Sequence, residues 1–160
     1  MLVLLLACTS DDGTTEALSD FASAIDDAEA VVTAHADAVS AATTVDEVTT
    51  LEVAYADDWG AQSQMLADAA EMVSGCAMDE DDMASMDDVT LATEDLDALV
   101  SDHTAEHASH TDVSECTAAE TAHGTSMSAD FETLRGAHDS RTAPGPPGPA
   151  NGVQRPEIGR

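Results

Sequence analysis

Apolar residues recur along this chain every three or four positions in four long stretches, which is the spacing of one face of an α-helix. The first stretch covers about residues 16–42, and its repeating positions are Phe21, Ile25, Ala28, Val32, His35, Val39 and Ala42. The second covers about residues 45–74, with Val48, Leu51, Tyr55, Trp59, Leu66, Ala69, Met72 and Val73 on one face. The spacing predicts two amphipathic helices, the first with a histidine in its apolar face.

Histidines replace apolar residues in the other two stretches. The third begins at about residue 83 and ends near residue 109, and its face runs through Leu96, Val100, His103, His107 and His110. The fourth follows a run of N-cap residues at 111–115, and its face is Cys116, Glu120, His123, Met127, Phe131, Leu134 and His138. The pattern predicts two further helices whose inward faces carry imidazoles.

The segments between these helices have the residues of short turns. Thr44 and Glu47 have the spacing of a capping box for the second helix. Gly75 is a natural stop for that helix. Only 2% of the residues are aromatic, and a core of Ala, Val, Leu and Met suits close-packed helices better than a sheet. We therefore predict an all-α protein, an up-down-up-down four-helix bundle.

The net charge is extreme, with 33 acidic residues against 4 arginines and no lysine. Such a surface repels phosphate backbones and anionic headgroups, so nucleic-acid binding and electrostatic attachment to acidic lipids are disfavoured. Metal ions, polyamines and basic envelope proteins fit better as partners. The alternative is a salt-adapted proteome in which every protein is this acidic, and the sequence leaves the two interpretations open.

A short apolar run at the N-terminus ends in Leu5, Leu6, Ala7 and Cys8 and is followed at once by a polar segment. This resembles the lipobox of bacterial lipoproteins. The resemblance implies cleavage before Cys8, acylation of Cys8 and, because Thr9 follows it, sorting to the periplasmic side of the outer membrane. The usual basic n-region is missing, so we expect the true start to lie upstream. The alternative is a buried apolar N-terminus with an ordinary cysteine.

These features divide the chain into four parts. We expect a signal segment at 1–7, a flexible tether at 8–15, the bundle at 16–138 and a disordered Pro- and Gly-rich tail at 139–160. No stretch approaches the twenty apolar residues of a membrane-spanning helix.

The bundle topology brings histidines from three helices into one half of the core. His35 and His103 each lie seven residues from a turn, about 10 Å at helical rise, and both turns are at the same end. Glu52, Tyr55, Cys116 and Glu120 lie at similar depths. Imidazole beside carboxylate is a ligand set for transition metals. We predict a site for Cu, Zn or Ni, with metal ligands drawn from His35, His103, His107, His110 and His123. The alternative is that each histidine bonds to backbone or to nearby carboxylates.

The remaining cysteines give conflicting signals. With Cys8 acylated, Cys76 and Cys116 are an even pair in an oxidising compartment, which favours a disulfide. The topology places them near opposite ends of the bundle, whereas a disulfide needs Cα atoms within about 7 Å. The sequence leaves this bond open.

The His-rich pattern of the fourth helix and the Cys76-Ala77-Met78 start of the third resemble Met/His-rich helical-bundle lipoproteins of the bacterial envelope, some of which bind copper or other metals. No phosphate loop, nucleophile elbow or His-Glu-x-x-His motif is present, so we expect no enzyme.

The sequence predicts a lipid-anchored bundle that binds or buffers a transition metal. The alternative is a structural or interaction lipoprotein whose acidic surface contacts cationic partners and which binds no metal.

Overall fold

The computed structural model describes residues 11–76 and 80–142, and within these ranges all regular structure is helical. The four helices are α1 (Asp11–Ala41), α2 (Val45–Ser74), α3 (Glu80–His107) and α4 (Val113–Thr142). They pack against one another as a four-helix bundle, which confirms the predicted fold class.

Each helix of the bundle packs against the two beside it. Helix α1 contacts α2 and α4, and α3 contacts the same two helices. The short connections at 42–44 and 108–112 therefore lie at one end of the bundle, which we call the turn end. This arrangement sets the depth of every inward side chain by its distance along the helix from a turn.

Both turns are closed by side-chain caps. The hydroxyl of Thr44 accepts a bond from the Glu47 backbone N–H at 3.2 Å, and a Glu47 carboxylate oxygen accepts from the Thr44 backbone N–H at 3.2 Å, so the predicted capping box is confirmed. At the other turn Asp112 accepts from the backbone N–H groups of Ser114 and Glu115 at 2.9 and 3.0 Å. The caps fix where α2 and α4 begin.

Two helices are longer than the sequence pattern predicted. Helix α1 begins at Asp11, so residues 11–15 are helical and not tether, in line with the preference of acidic residues for a helix N-terminus. Helix α4 continues to Thr142, past the predicted boundary at 138. There the Arg141 guanidinium donates to the Val73 carbonyl at 3.1 Å, which holds the last turn against α2. Residues 1–10 and 143–160, including Cys8 and most of the predicted tail, lie outside the described residues.

The apolar core is divided in two. The larger part fills the bundle away from the turn end, and its fully buried members include Phe21, Ile25, Leu66, Leu96, Met127 and Leu134. The smaller part is formed by Val39, Val48 and Cys116 at the turn end. A layer of buried polar side chains lies between them.

The two buried cysteines belong to different parts of this core. Cys76 packs with the larger cluster and Cys116 with the smaller one. Cys116 is a free thiol, so a bond between Cys76 and Cys116 is not formed. The bundle geometry that argued against this disulfide outweighs the even number of cysteines.

The outward faces of the helices are polar and mainly acidic. Arg135 links α4 to α1 through ion pairs with Asp26 and Glu29, and its side chain is 41% exposed. Over the described residues, none of the helices has an apolar stretch long enough to cross a membrane.

Replacing Thr44 with Ala should lower the free energy of unfolding by about 1 kcal/mol, because it removes a cap from the first turn of α2. For a domain of this size, thermal unfolding would shift down by about 2–4 °C. Thr49→Ala is the matched control, since the exposed Thr49 hydroxyl only bonds back to the Val45 carbonyl within the same helix. Equal effects of the two changes would contradict the role assigned to the cap.

Candidate metal centre

One polar side chain from each helix meets in the layer between the two apolar clusters. His35 comes from α1, Glu52 from α2, His103 from α3 and Glu120 from α4. Glu52 lies seven residues after Val45, and Glu120 lies seven after Val113. The two glutamates therefore lie at the same depth, about 10 Å from the starts of their helices. The histidines reach the same level six residues before the end of α1 and four residues before the end of α3.

The ligand atoms of these four residues, which we call the four-helix site, converge on one point. His35 Nε2 lies 3.0 Å from Glu52 Oε1 and 3.2 Å from Glu120 Oε2. His103 Nε2 lies 2.9 Å from the same Glu120 oxygen and 3.7 Å from the same Glu52 oxygen. One donor atom from each residue lies within 4.8 Å of all the others.

Burial makes this convergence costly. The four residues are only 3–6% exposed. Among the described residues, no group gives a hydrogen bond to either oxygen of Glu120 or to Glu52 Oε2, and the short contact of His103 Nε2 with Glu120 lacks the alignment of one. Buried polar atoms are normally paired. His35 Nε2 and Glu52 Oε1 form a hydrogen bond, and the other carboxylate oxygens of the site are buried without one.

Protonation of His35 offsets part of this cost in the apoprotein. Burial alone would lower the pKa of His35, but the carboxylates of Glu120 and Glu52 outweigh it and raise the pKa to about 9. Burial would raise the pKa of Glu120, and here the imidazoles of His103 and His35 outweigh it and lower the pKa to about 2. At neutral pH the site holds an ionised Glu120 beside a protonated His35.

Stacked rings hold the two histidines in place. His35 stacks on Tyr55 with ring centroids 4.0 Å apart, and His103 stacks on His123 at 3.9 Å. Burial, followed by the nearby His103, lowers the pKa of His123 to about 4, so its ring is neutral at pH 7. The Tyr55 hydroxyl lies 3.0 Å from His123 Nε2 and can donate to it. Burial and the two carboxylates raise the pKa of Tyr55, which keeps this hydroxyl protonated.

The structure places the five histidines of the sequence prediction in three different settings. His35 and His103 are in the four-helix site, whereas His123 supports it through Tyr55 and is not one of the four converging groups. His107 Nδ1 lies 3.5 Å from Glu52 Oε1, at the edge of the site. His110 is farther towards the turn end, where it forms a group with His107 and Cys116.

The two glutamates of the four-helix site were not on the list of predicted metal ligands. The available signal was their position, because each follows a buried residue by four, Glu52 after Val48 and Glu120 after Cys116. A carboxylate on an inward helix face is rarely buried without a partner. In a chain with 33 acidic residues, that signal competes with many carboxylates on solvent-facing positions.

The chain matches no protein-family model, no curated protein and no solved structure. The geometry and donor chemistry of the site are therefore the basis for its function.

The stability of the apoprotein should be greatest near pH 6.5 and fall on both sides. The pKa of His35 is about 9 in the folded protein and 6.5 when unfolded, so its stabilisation is complete below pH 6.5 and is lost as pH rises through 9. The pKa values of His123 and Glu120, about 4 and about 2, lie below their unfolded values of 6.5 and 4.5. Stability from these two groups is lost as pH falls through those ranges.

Denaturant unfolding of metal-free protein at several pH values tests this profile, at high salt so that surface charges are screened. The alkaline loss should be on the order of 1–3 kcal/mol. It should shrink in Glu120→Gln, which removes a carboxylate that raises the pKa of His35, and persist in the surface variant Glu132→Gln. A flat profile between pH 6.5 and 9 in the wild type would refute the assigned protonation.

Proposed function

We propose that this protein binds one divalent transition-metal ion, Cu²⁺, Zn²⁺ or Ni²⁺, through His35, Glu52, His103 and Glu120, and that it acts as a binding or buffering protein. The observation that carries the proposal is the convergence of four buried donor atoms, one from each helix. His35 and Glu52 share one hydrogen bond, whereas His103 Nε2, Glu52 Oε2 and both oxygens of Glu120 have none among the described residues.

The spacing of the donor atoms supports this proposal. Around an ion with ligand distances of about 2.0–2.2 Å, neighbouring ligand atoms lie about 2.8–3.6 Å apart in octahedral or tetrahedral geometry. The imidazole-to-carboxylate distances in the site are 2.9, 3.0, 3.2 and 3.7 Å. Small side-chain adjustments would close the set around one ion.

The charges of the site also support it. Metal coordination requires deprotonated ligands, and with His35 deprotonated two carboxylates and two neutral imidazoles would carry a charge of −2, which a divalent cation neutralises. Two nitrogen and two oxygen donors suit ions of intermediate softness, and zinc accepts four such protein ligands in closed, non-catalytic sites. Because all four groups are buried, the ion would be shielded from solvent, as expected for binding more than for catalysis.

Isothermal titration of the apoprotein should show saturable binding with release of at least about one proton per ion at pH 7, because the metal must displace the proton of His35. Repeating the titration in buffers of different ionisation enthalpy measures this release. The affinity should keep rising with pH up to about 9, beyond the value of 6.5 for a free imidazole. Surface carboxylates are already ionised at this pH. Binding of an ion to them would therefore be weak and sensitive to salt, and it would release no proton.

Variants locate the ion. His103→Ala and Glu120→Gln should each abolish the release of the proton held by His35, whereas His138→Ala and Glu132→Gln, on the outer part of α4, should retain it. A thermal scan gives a second readout, since metal at a hundred times its dissociation constant adds about 2.7 kcal/mol to the native state. Salt-sensitive binding that is unchanged in all four variants would refute the proposal and favour an acidic surface for cationic partners.

We also propose that the bundle is held at the cell envelope by acylation of Cys8. The support is the Leu-Leu-Ala-Cys run followed by a polar segment, and two acyl chains give stable anchoring where one is marginal. Expression in a bacterial host from a start codon upstream of Met1 should give a membrane-associated, acylated protein, and Cys8→Ser should release it. The intact mass, measured before and after reduction, distinguishes an acylated Cys8 from a Cys8 in a disulfide bond with Cys76. A soluble wild type, or a Cys8 held in a disulfide with Cys76, would refute the anchor.

A further inference from the structure

Cys116 is a buried thiol with no assigned role in the four-helix site. It is 1% exposed and lies with Val39 and Val48 in the small apolar cluster at the turn end. It lies four residues before Glu120 on α4, which places it about 6 Å nearer the turn end than the four-helix site.

Two histidines of α3 share this position. His107 is one turn beyond His103, and its residue is 5% exposed. Neither ring nitrogen of His107 has a hydrogen-bond partner among the described residues, and the same holds for the buried Nδ1 of His110. The two rings lie 5.0 Å apart. Burying an imidazole without a hydrogen-bond partner costs free energy. The position of these two rings therefore favours the presence of a ligand.

The donor atoms of these three residues form a compact group. One atom each from His107, His110 and Cys116 lies within 4.8 Å of the other two. We infer that His107, His110 and Cys116 form a second metal site, which takes a thiophilic ion such as Zn²⁺ or Cu⁺. The ion bonds to sulfur as the thiol proton leaves to solvent, so that the bound group is a thiolate.

The second site differs from the four-helix site in chemistry and in access. Its sulfur donor selects softer ions than the two glutamates do. Its three protein ligands leave a coordination position open, and the His110 side chain is 13% exposed, so the ion has a path to solvent. His107 connects the two sites, because its Nδ1 also lies 3.5 Å from Glu52 Oε1.

Cobalt(II) titration of the reduced full chain under anaerobic conditions tests this site, because Co²⁺ replaces zinc and reports its ligands in the absorption spectrum. We expect a sulfur-to-cobalt charge-transfer band in the near ultraviolet that saturates and is displaced by Zn²⁺. Cys116→Ser should remove the band, and Cys76→Ser should keep it. His110→Ala, at a partly exposed position, should weaken cobalt binding in this band by about tenfold or more.

The proposals for the two metal sites can be refuted independently of each other. Because the Cys116 thiol also loses a proton on binding, the proton release of the four-helix site is measured in Cys116→Ser, where adding Glu120→Gln should abolish it. In the chain that keeps Cys116, Glu120→Gln should leave the charge-transfer band in place. Circular dichroism shows whether Cys116→Ser has folded; if it has not, Cys116→Ala and His110→Ala give the same test. A wild type without the band at saturating cobalt, or a band that survives in the Cys116 variants, would overturn the second site.

Discussion

Two carboxylates buried in a core of small apolar side chains are the constraint on which this bundle depends. Transferring an ionised group from water into a protein interior costs several kcal/mol even after relaxation. In the apoprotein, Glu120 is compensated by the proton that it helps to keep on His35. A divalent cation would compensate both glutamates at once. The stacked Tyr55 and His123 rings hold the histidines where either form of compensation can act.

The acidity of the surface and the acidity of the interior have different physical consequences. Exposed carboxylates create a field that concentrates cations of any kind near the protein, and this field weakens with salt. The buried glutamates act over a few ångströms and impose donor geometry, because each is fixed by its helix. Glu47 illustrates the difference, since on the surface its carboxylate accepts hydrogen bonds from the backbone N–H groups of Thr43 and Thr44 and from the Thr43 hydroxyl.

Helical spacing was enough to predict the four-helix fold, the cap at Thr44 and the common depth of His35 and His103. It was not enough to identify Glu52 as a converging group, since the sequence has 33 acidic residues and burial is a property of the packed bundle. The orientation of the histidine rings could not be predicted from the sequence either. His123 turns towards Tyr55 because of side-chain torsions that residue spacing does not encode.

The distance of seven residues from Val45 to Glu52, repeated from Val113 to Glu120, determines which changes in chain length the site can accommodate. One residue inserted between Val45 and Glu52 would rotate Glu52 by about 100° around its helix and turn its carboxylate away from the bundle axis. An insertion in α2 beyond Trp59 leaves that phase intact. The two parts of α2 thus differ in what an insertion disrupts: near the turn end it moves a donor atom of the site, whereas beyond Trp59 it rotates Leu66 and Val73 out of the larger apolar core.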